Sequence, residues 1–204
     1  MNPWIAPTSL SGQHVQLVPL SHLQHDDLVT SVRDGELWNH WYTAIPTPEG
    51  MATEITRRLD LQAKGSMCPF AVIDPATGQA VGMTTYMNID APNKRVEIGS
   101  TWYRANVQRS SLNTECKRLL LAHAFEQLNC IAVEFRTHFF NQQSRNAIER
   151  LGAKLDGILR NHAINTHPDA VGALRDTCVY SILNTEWPSV KAHLDYQLSR
   201  TRKA

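Results

Sequence analysis

No CxxC pair occurs in this chain, and its four cysteines, Cys68, Cys116, Cys130 and Cys178, stand far apart. That spacing excludes zinc ribbons and thioredoxin-like redox motifs. Three of the four sit in apolar runs, where a cysteine behaves as a small hydrophobe. All four are expected as free thiols in a reducing compartment. There is no excess of one charge: 20 Lys and Arg stand against 19 Asp and Glu, a formal net charge of +1. A nucleic-acid partner held by bulk electrostatics would need a clear basic surplus. No apolar stretch approaches the ~20 residues that span a membrane. The opening MNPWIAPTSL lacks a basic segment followed by an apolar one, so no signal peptide is expected. Repeats, low-complexity tracts and Gly/Ser/Pro linkers are absent too. One domain over residues 1–204 is expected, soluble and cytoplasmic. The nine histidines have no Cys or carboxylate partner at ligand spacing, so no metal is expected.

The chain does have the makings of a core, with 42% hydrophobic and 19% charged residues. His14 to Pro19 alternates as a strand. Ser21 can cap a helix to about Asp34, with Leu23, Leu28 and Val32 inward. Thr47-Pro48-Glu49 opens a second helix, carrying Ile55, Leu59 and Leu61 up to Gly65. Pro69 to Asp74, Ala80 to Ile89 and Arg95 to Tyr103 read as three strands of an antiparallel meander, joined by the turns DPATGQ and APNK. Ser110 to Leu128 is helical, with Leu112, Cys116, Leu120, Ala124 and Leu128 recurring every four residues. A strand follows from Ile131 to Arg136, then a helix from Asn141 to Leu151, stopped by Gly152. Ala153 to His162 and Arg175 to Leu183 are two more strands. A last helix, about 185–200, runs into a basic tail. A meander feeding a strand–helix–strand crossover predicts an α/β fold: a mixed, mostly antiparallel sheet with helices on both faces.

The segment from Glu97 to Gly152 carries the chemistry. A strand (VEIGSTWY) runs into a loop (RANVQRSS) that opens a long helix. The first turn of a helix leaves backbone N–H groups unpaired and carries partial positive charge, so it is a ready anion site. An ordinary capped helix end, with Ser110 or Ser111 as the cap, would look the same.

With QRSSLNTECKRLLLAHAFEQL, NQQSRNAIERLGAKLDGILRNH and RDTCVYSILNTEWP added to VEIGSTWY, the sequence resembles the GNAT superfamily of acyltransferases, and within it the RimJ/RimL-like branch. The resemblance covers about His14 to Leu194. It implies an enzyme that moves an acetyl group from acetyl-CoA to an amine. The family's pyrophosphate motif begins at Gln108 and implies cofactor contacts from Gln108, Arg109, Ser110, Ser111, Leu112 and Asn113. Ser111 and Asn113 stand where the family has small residues, and glycine there would allow a closer backbone approach. Backbone groups from Ile98 through Gly99 to Trp102 are implied partners of the pantetheine amides.

The resemblance places Glu97 as the candidate general base, since an ammonium must lose a proton before it can attack a thioester. An edge carboxylate paired with Arg95 or Lys94 is the plainer account. Asn141 and Ser144 form N-x-x-S at a helix start. Asn141 is an N-cap by its residue type, and the resemblance adds a cofactor contact. Ser144 is implied as an acid for the leaving thiolate, or as a hydrogen-bonding partner of the sulfur. Many family members use a tyrosine one turn later, where this chain has Ile148.

Trp38, Trp41, Tyr42 and Tyr86 are candidate walls of the acceptor pocket, with core packing as the alternative. His162 is a candidate for substrate contact or base. A succinyl donor, or a CoA-binding module without catalysis, are the rival readings. The resemblance implies a protein N-terminus or a small amine as the acceptor, and a homodimer is common among relatives.

Overall fold

The computed structural model describes residues 4–200; the basic tail predicted beyond the last helix lies outside them. The strands are β1 (Leu10–Ser11), β2 (Gln16–Pro19), β3 (Met67–Ile73), β4 (Ala80–Asp90), β5 (Arg95–Tyr103), β6 (Ala132–His138), β7 (Lys154–Ile164) and β8 (Leu174–Leu183). The helices are α1 (His25–Arg33), α2 (Met51–Ala63), α3 (Ser111–Ala122), α4 (Gln142–Arg150) and α5 (Trp187–Ser199). They build one sheet in the order β1-β2-β3-β4-β5-β6-β8-β7. Every neighbouring pair is antiparallel except β5 with β6. The predicted mixed, mostly antiparallel sheet is therefore the observed one.

Two apolar clusters sandwich the sheet. Leu28 and Val32 of α1 and Met51 and Ile55 of α2 pack with Met83 and Trp102. Leu112, Cys116 and Leu120 of α3, Ile148 of α4 and Leu194 of α5 pack with Phe70, Tyr86 and Val133. Helices thus cover both faces, α1 and α2 on one and α3 to α5 on the other. The four cysteines are buried free thiols.

Two local expectations fail for identifiable reasons. Leu23, predicted to face inward, is 93% exposed. Ser21 and Gln24 form a reciprocal capping box over a 3-10 turn, His22–Gln24, ahead of α1. That tighter turn breaks the 3.6-residue phase of the pattern. The helix predicted to run on to Leu128 ends at Ala122 and continues as a π-helical turn, His123–Gln127. A strict four-residue spacing of apolar residues drifts around a 3.6-residue helix. The wider π-turn keeps Ala124 and Phe125 buried on the same side as Leu120.

Candidate active site

Among the described residues the one parallel pair in the sheet is short for strands of this length. β5 and β6 are in register at Arg95 with Ala132, Val96 with Val133, and Glu97 with Glu134, and no further. Both strands continue, β5 to Tyr103 and β6 to His138. From Ile98 onward the two diverge, and the facing edge of β5 has no strand partner. A V-shaped cleft opens there, with Glu97 at its apex.

Glu97 is 4% exposed. Asn88 Nδ2 donates to its Oε2 at 2.6 Å. Arg136 Nε lies 3.5 Å from the same oxygen, without the alignment of a hydrogen bond. Arg95, its sequence-level rival partner, pairs instead with Glu134 at 2.5 Å. Burial pushes the Glu97 carboxyl above the ordinary range, against the pull of Asn88 and Arg136. A side chain at position 99 would collide with it: a Cβ on Gly99 would lie 2.8 Å from Glu97 Oε1 and 2.6 Å from the Met87 sulfur.

Just beyond Gly99 the strand bulges. Gly99 faces Thr85 and Trp102 faces Met83, so Ser100 and Thr101 together oppose Thr84. Ser100 sits in the left-handed region at φ +47°. Its carbonyl accepts from both terminal nitrogens of Arg58 at 3.2 Å. Bulges re-aim backbone groups beside functional sites.

At the open end of the cleft is the start of α3. Ser110 caps it, accepting from the Leu112 N–H at 3.2 Å. Gln108 Nε2 donates to the Tyr103 carbonyl at 2.9 Å, fixing the loop to the end of β5. Arg109 takes a left-handed φ of +59°. A cavity of about 590 Å3 lies over this helix end, lined by Arg109, Ser110, Ser111 and Leu112, and by His14 and Asp74 opposite. Asn113 keeps a buried side-chain oxygen with no protein partner. Asn141 caps α4, its Oδ1 accepting from the Ser144 N–H at 3.0 Å. Gln143 Nε2 reaches Gln108 Oε1 at 3.4 Å, so the two helix starts touch across the cleft. Ile148 packs in the core.

The face of β6 and β8 left uncovered by α1 and α2 is polar. His138 stacks among aromatics there: Trp41 at 5.0 Å, Phe140 at 5.7 Å and Tyr42 at 6.3 Å between ring centroids. Asn165 Nδ2 donates to the Trp41 carbonyl at 3.1 Å, and His167 Nε2 bonds the Trp38 carbonyl at 3.2 Å. The β7–β8 loop is thereby tied to the aromatic segment after α1. The hydroxyl of Thr177 links Arg175 Nε and His162 Nδ1, each at 3.1 Å.

Trp41, Tyr42 and His162 thus lie on one face, together with Glu97. Tyr86 does not. It is fully buried on the opposite face, its hydroxyl donating to the Leu120 carbonyl. Its expected place in the pocket wall is corrected by the bulges in β4, which shift the phase of its alternation. Trp38 and the Trp102 side chain pack in the α1–α2 cluster, so Trp102 offers the cleft only backbone. Sequence reasoning missed Arg58, His138 and Arg175. Among the described residues no group of three or more His, Cys, Asp or Glu side chains is placed to hold a metal ion, and no helix is long and apolar enough to cross a membrane.

Comparison with known proteins agrees with this architecture. YdaF of Bacillus subtilis (strain 168), named provisionally as a ribosomal N-acetyltransferase, is 30% identical over 114 residues, 56% of this chain. The match spans 59% of YdaF's own length. A GCN5-related N-acetyltransferase from Brucella melitensis superposes with a TM-score of 0.84 at 28% identity, covering 97% of this chain and 88% of that one. Mycobacterium smegmatis RimJ, solved in complex with CoA-disulfide, shares the fold at a TM-score of 0.79 and 18% identity, with 97% of each chain covered. Residues 14–154 match the family described as the acetyltransferase (GNAT) domain, and the chain belongs to that family of acyltransferases.

Proposed function

We propose that this enzyme moves an acetyl group from acetyl-CoA to a primary amine by direct attack, with Glu97 as general base. The observation that carries the reading is a nearly buried carboxylate at the apex of the β5–β6 cleft. Such a group, raised by burial, can take the proton an ammonium must lose. Its open neighbourhood at the wide end fits the donor. The α3 start, capped by Ser110, offers unpaired N–H groups for a diphosphate. Free edge groups of Ile98 to Trp102, with Asn141 and the orphaned Asn113 oxygen, suit the amides of a pantetheine arm. When bound, acetyl-CoA supplies an activated acyl carbon.

Glu97 holds the proton-accepting position. Backbone N–H groups beside the Ser100 bulge would hold the acyl oxygen as an oxyanion site does. The Ser144 hydroxyl, at the start of α4, is the candidate donor to the departing sulfur. Trp41, Tyr42 and His162 line the acceptor's approach. A protein N-terminus is one acceptor class, in keeping with YdaF's name, and a small amine is the other.

The test is a thermal-shift titration with acetyl-CoA, CoA and succinyl-CoA, followed by turnover of wild type and Glu97→Gln. A ligand at 100 times its dissociation constant adds about 2.7 kcal/mol. A saturable shift with acetyl-CoA and a loss of turnover in Glu97→Gln are expected. No shift with any of the three would remove the enzyme reading, and a shift without turnover of any amine would favour a CoA-binding module.

A further inference from the structure

Two residues on the acceptor face keep donor groups that no protein atom accepts. Arg175 is half-buried at the start of β8, and its one hydrogen bond runs from Nε to Thr177 Oγ1 at 3.1 Å. Among the described residues no carboxylate lies within 4.0 Å of it, whereas the half-buried Arg95, Arg104 and Arg136 each have one. Both terminal nitrogens of Arg175, with four N–H groups in a planar fork, are left unbonded.

His138, at the end of β6, is the second donor. It is 3% exposed. Its Nδ1 accepts from the Phe140 N–H at 3.1 Å, which puts the proton of the neutral ring on Nε2. That Nε2 is buried and has no hydrogen-bond partner. The two residues are electrostatic neighbours: burial, and then the charge of Arg175, hold the His138 imidazole below its ordinary value. Glu97 in turn acts on Arg175, its negative charge opposing the effect of burial on the guanidinium.

A buried donor without an acceptor costs about 1–3 kcal/mol, and a charged one more. His138 Nε2 is such a donor, and the half-buried Arg175 fork beside it adds a positive charge with its terminal N–H groups free. One kind of partner matches both, an oxygen group carrying negative charge. A guanidinium fork suits a planar carboxylate in particular. The same face presents Glu97 to an ammonium. The chemistry is complementary to a molecule with both charges.

We propose that the acceptor amine carries a carboxylate, and that Arg175, with His138 beside it, binds that group while Glu97 meets the amine. This deepens the proposed acetyl transfer and rests on it. Two sources share the chemistry: the α-carboxylate of a free amino acid, and an acidic side chain close to a peptide N-terminus. Thr177 positions Arg175, and through its own O–H it orients the exposed His162 ring at the rim of the same pocket.

The experiment has two parts. Acetyl transfer is measured on matched acceptors: glycine against glycinamide, and the peptide Ala-Glu-Ala-amide against Ala-Gln-Ala-amide. One carboxylate acceptor is expected to exceed its amide partner in kcat/KM by tenfold or more, and the preferred pair names the source. Arg175→Gln is expected to raise KM for that acceptor by about tenfold to a hundredfold, the range of one charge-assisted bond, and to change KM for its amide partner much less. Arg175→Lys, which keeps the charge but not the fork, should fall between.

Binding is then read without catalysis, using N-acetylglycine against N-acetylglycinamide and N-acetyl-Ala-Glu-Ala-amide against its Gln analogue, by NMR titration. None of these has a free amine. A preference for the carboxylate that Arg175→Gln abolishes supports the proposal even if no amine is ever acetylated. Equal treatment of acid and amide by the wild type in both parts overturns it, whether or not the variant folds. Loss of acid and amide alike in a folded Arg175→Gln overturns it too, because a purely structural arginine would act that way.

Discussion

The guanidinium of Arg58 holds the carbonyl of Ser100 with both of its terminal nitrogens, each at 3.2 Å. The same side chain is 1% exposed, donates to Thr85 Oγ1 at 2.7 Å and pairs with Glu54 at 2.7 Å. It ties α2 to the bulge of β5, where Ser100 is kept at φ +47°. That conformation is uncommon outside glycine, so something must hold it. Arg58→Met is expected to cost about 3–5 kcal/mol in urea unfolding, as removal of one partner of a buried pair does. Arg58→Lys keeps a charge but not the fork, and should fold with weakened acetyl-CoA binding by calorimetry. Unchanged affinity in a folded Arg58→Lys would show that the bulge needs no clamp.

Glu97 gives a pH prediction with a definite sign. Burial raises its carboxyl, so the basic form is present above the raised value and is lost as pH falls through it. The acid limb of kcat/KM should therefore lie above the ordinary carboxylate value of about 4.3. Asn88 donates to the charged form. Asn88→Ala removes that support and should move the limb still higher. Glu97→Gln should lose the limb and about 10²–10⁴ in rate. An unchanged limb in Asn88→Ala would assign the titration to another group.

Asn141 and Ser144 separate capping from chemistry. The cap bond uses the Asn141 side chain and only the backbone of Ser144. Asn141→Ala should cost about 1 kcal/mol of stability by denaturant midpoint. Ser144→Ala leaves that bond intact and should stay within about 0.5 kcal/mol of wild type, as surface changes do. Its kcat should fall by about tenfold if the hydroxyl assists the departing sulfur. Equal turnover in Ser144→Ala would leave the serine without a part in the reaction.

What could be read from the sequence follows from how local each signal is. β5 was predicted at its observed limits, because its alternation is bounded by a turn and a loop. The caps of α3 and α4 are set within three residues of chain; the sequence points to Asn141 for α4 and leaves Ser110 and Ser111 open for α3, where Ser110 is the cap. Glu97 stood out by strand position and family likeness together. Arg58, His138 and Arg175 owe their meaning to register between distant strands. His138 stands opposite Thr177 only because β6 and β8 pair as they do. Tyr86 was misplaced for the same reason. Val81 and Tyr86 face α3, while Ala80 and Met83 face α1 and α2. A pattern of fixed period cannot anticipate a bulge that changes its phase.

Lys117 gives the last prediction, and it concerns stability. Its ammonium is buried under α3 with only the hydroxyls of Thr101 (2.8 Å) and Thr84 (3.3 Å) for partners. Burial pushes its pKa down from 10.5 to about 8. Between those values the unfolded chain holds the proton more often than the folded one. Stability should thus rise with pH from about 8 to 10.5, and below 8 the cost of the buried charge is present in full. That cost is on the order of 3 kcal/mol at 1.36 kcal/mol per pH unit. Lys117→Met fills similar space without a charge, and the two threonine hydroxyls still bond each other at 2.7 Å. The variant should be more stable at pH 7 by up to that amount. Urea midpoints measured against pH for both proteins provide the check, with Cys116→Ala as the common background because the Cys116 thiol feels the Lys117 charge. Curves that run parallel from pH 7 to 10.5 would mean that Lys117 keeps an ordinary pKa in the fold.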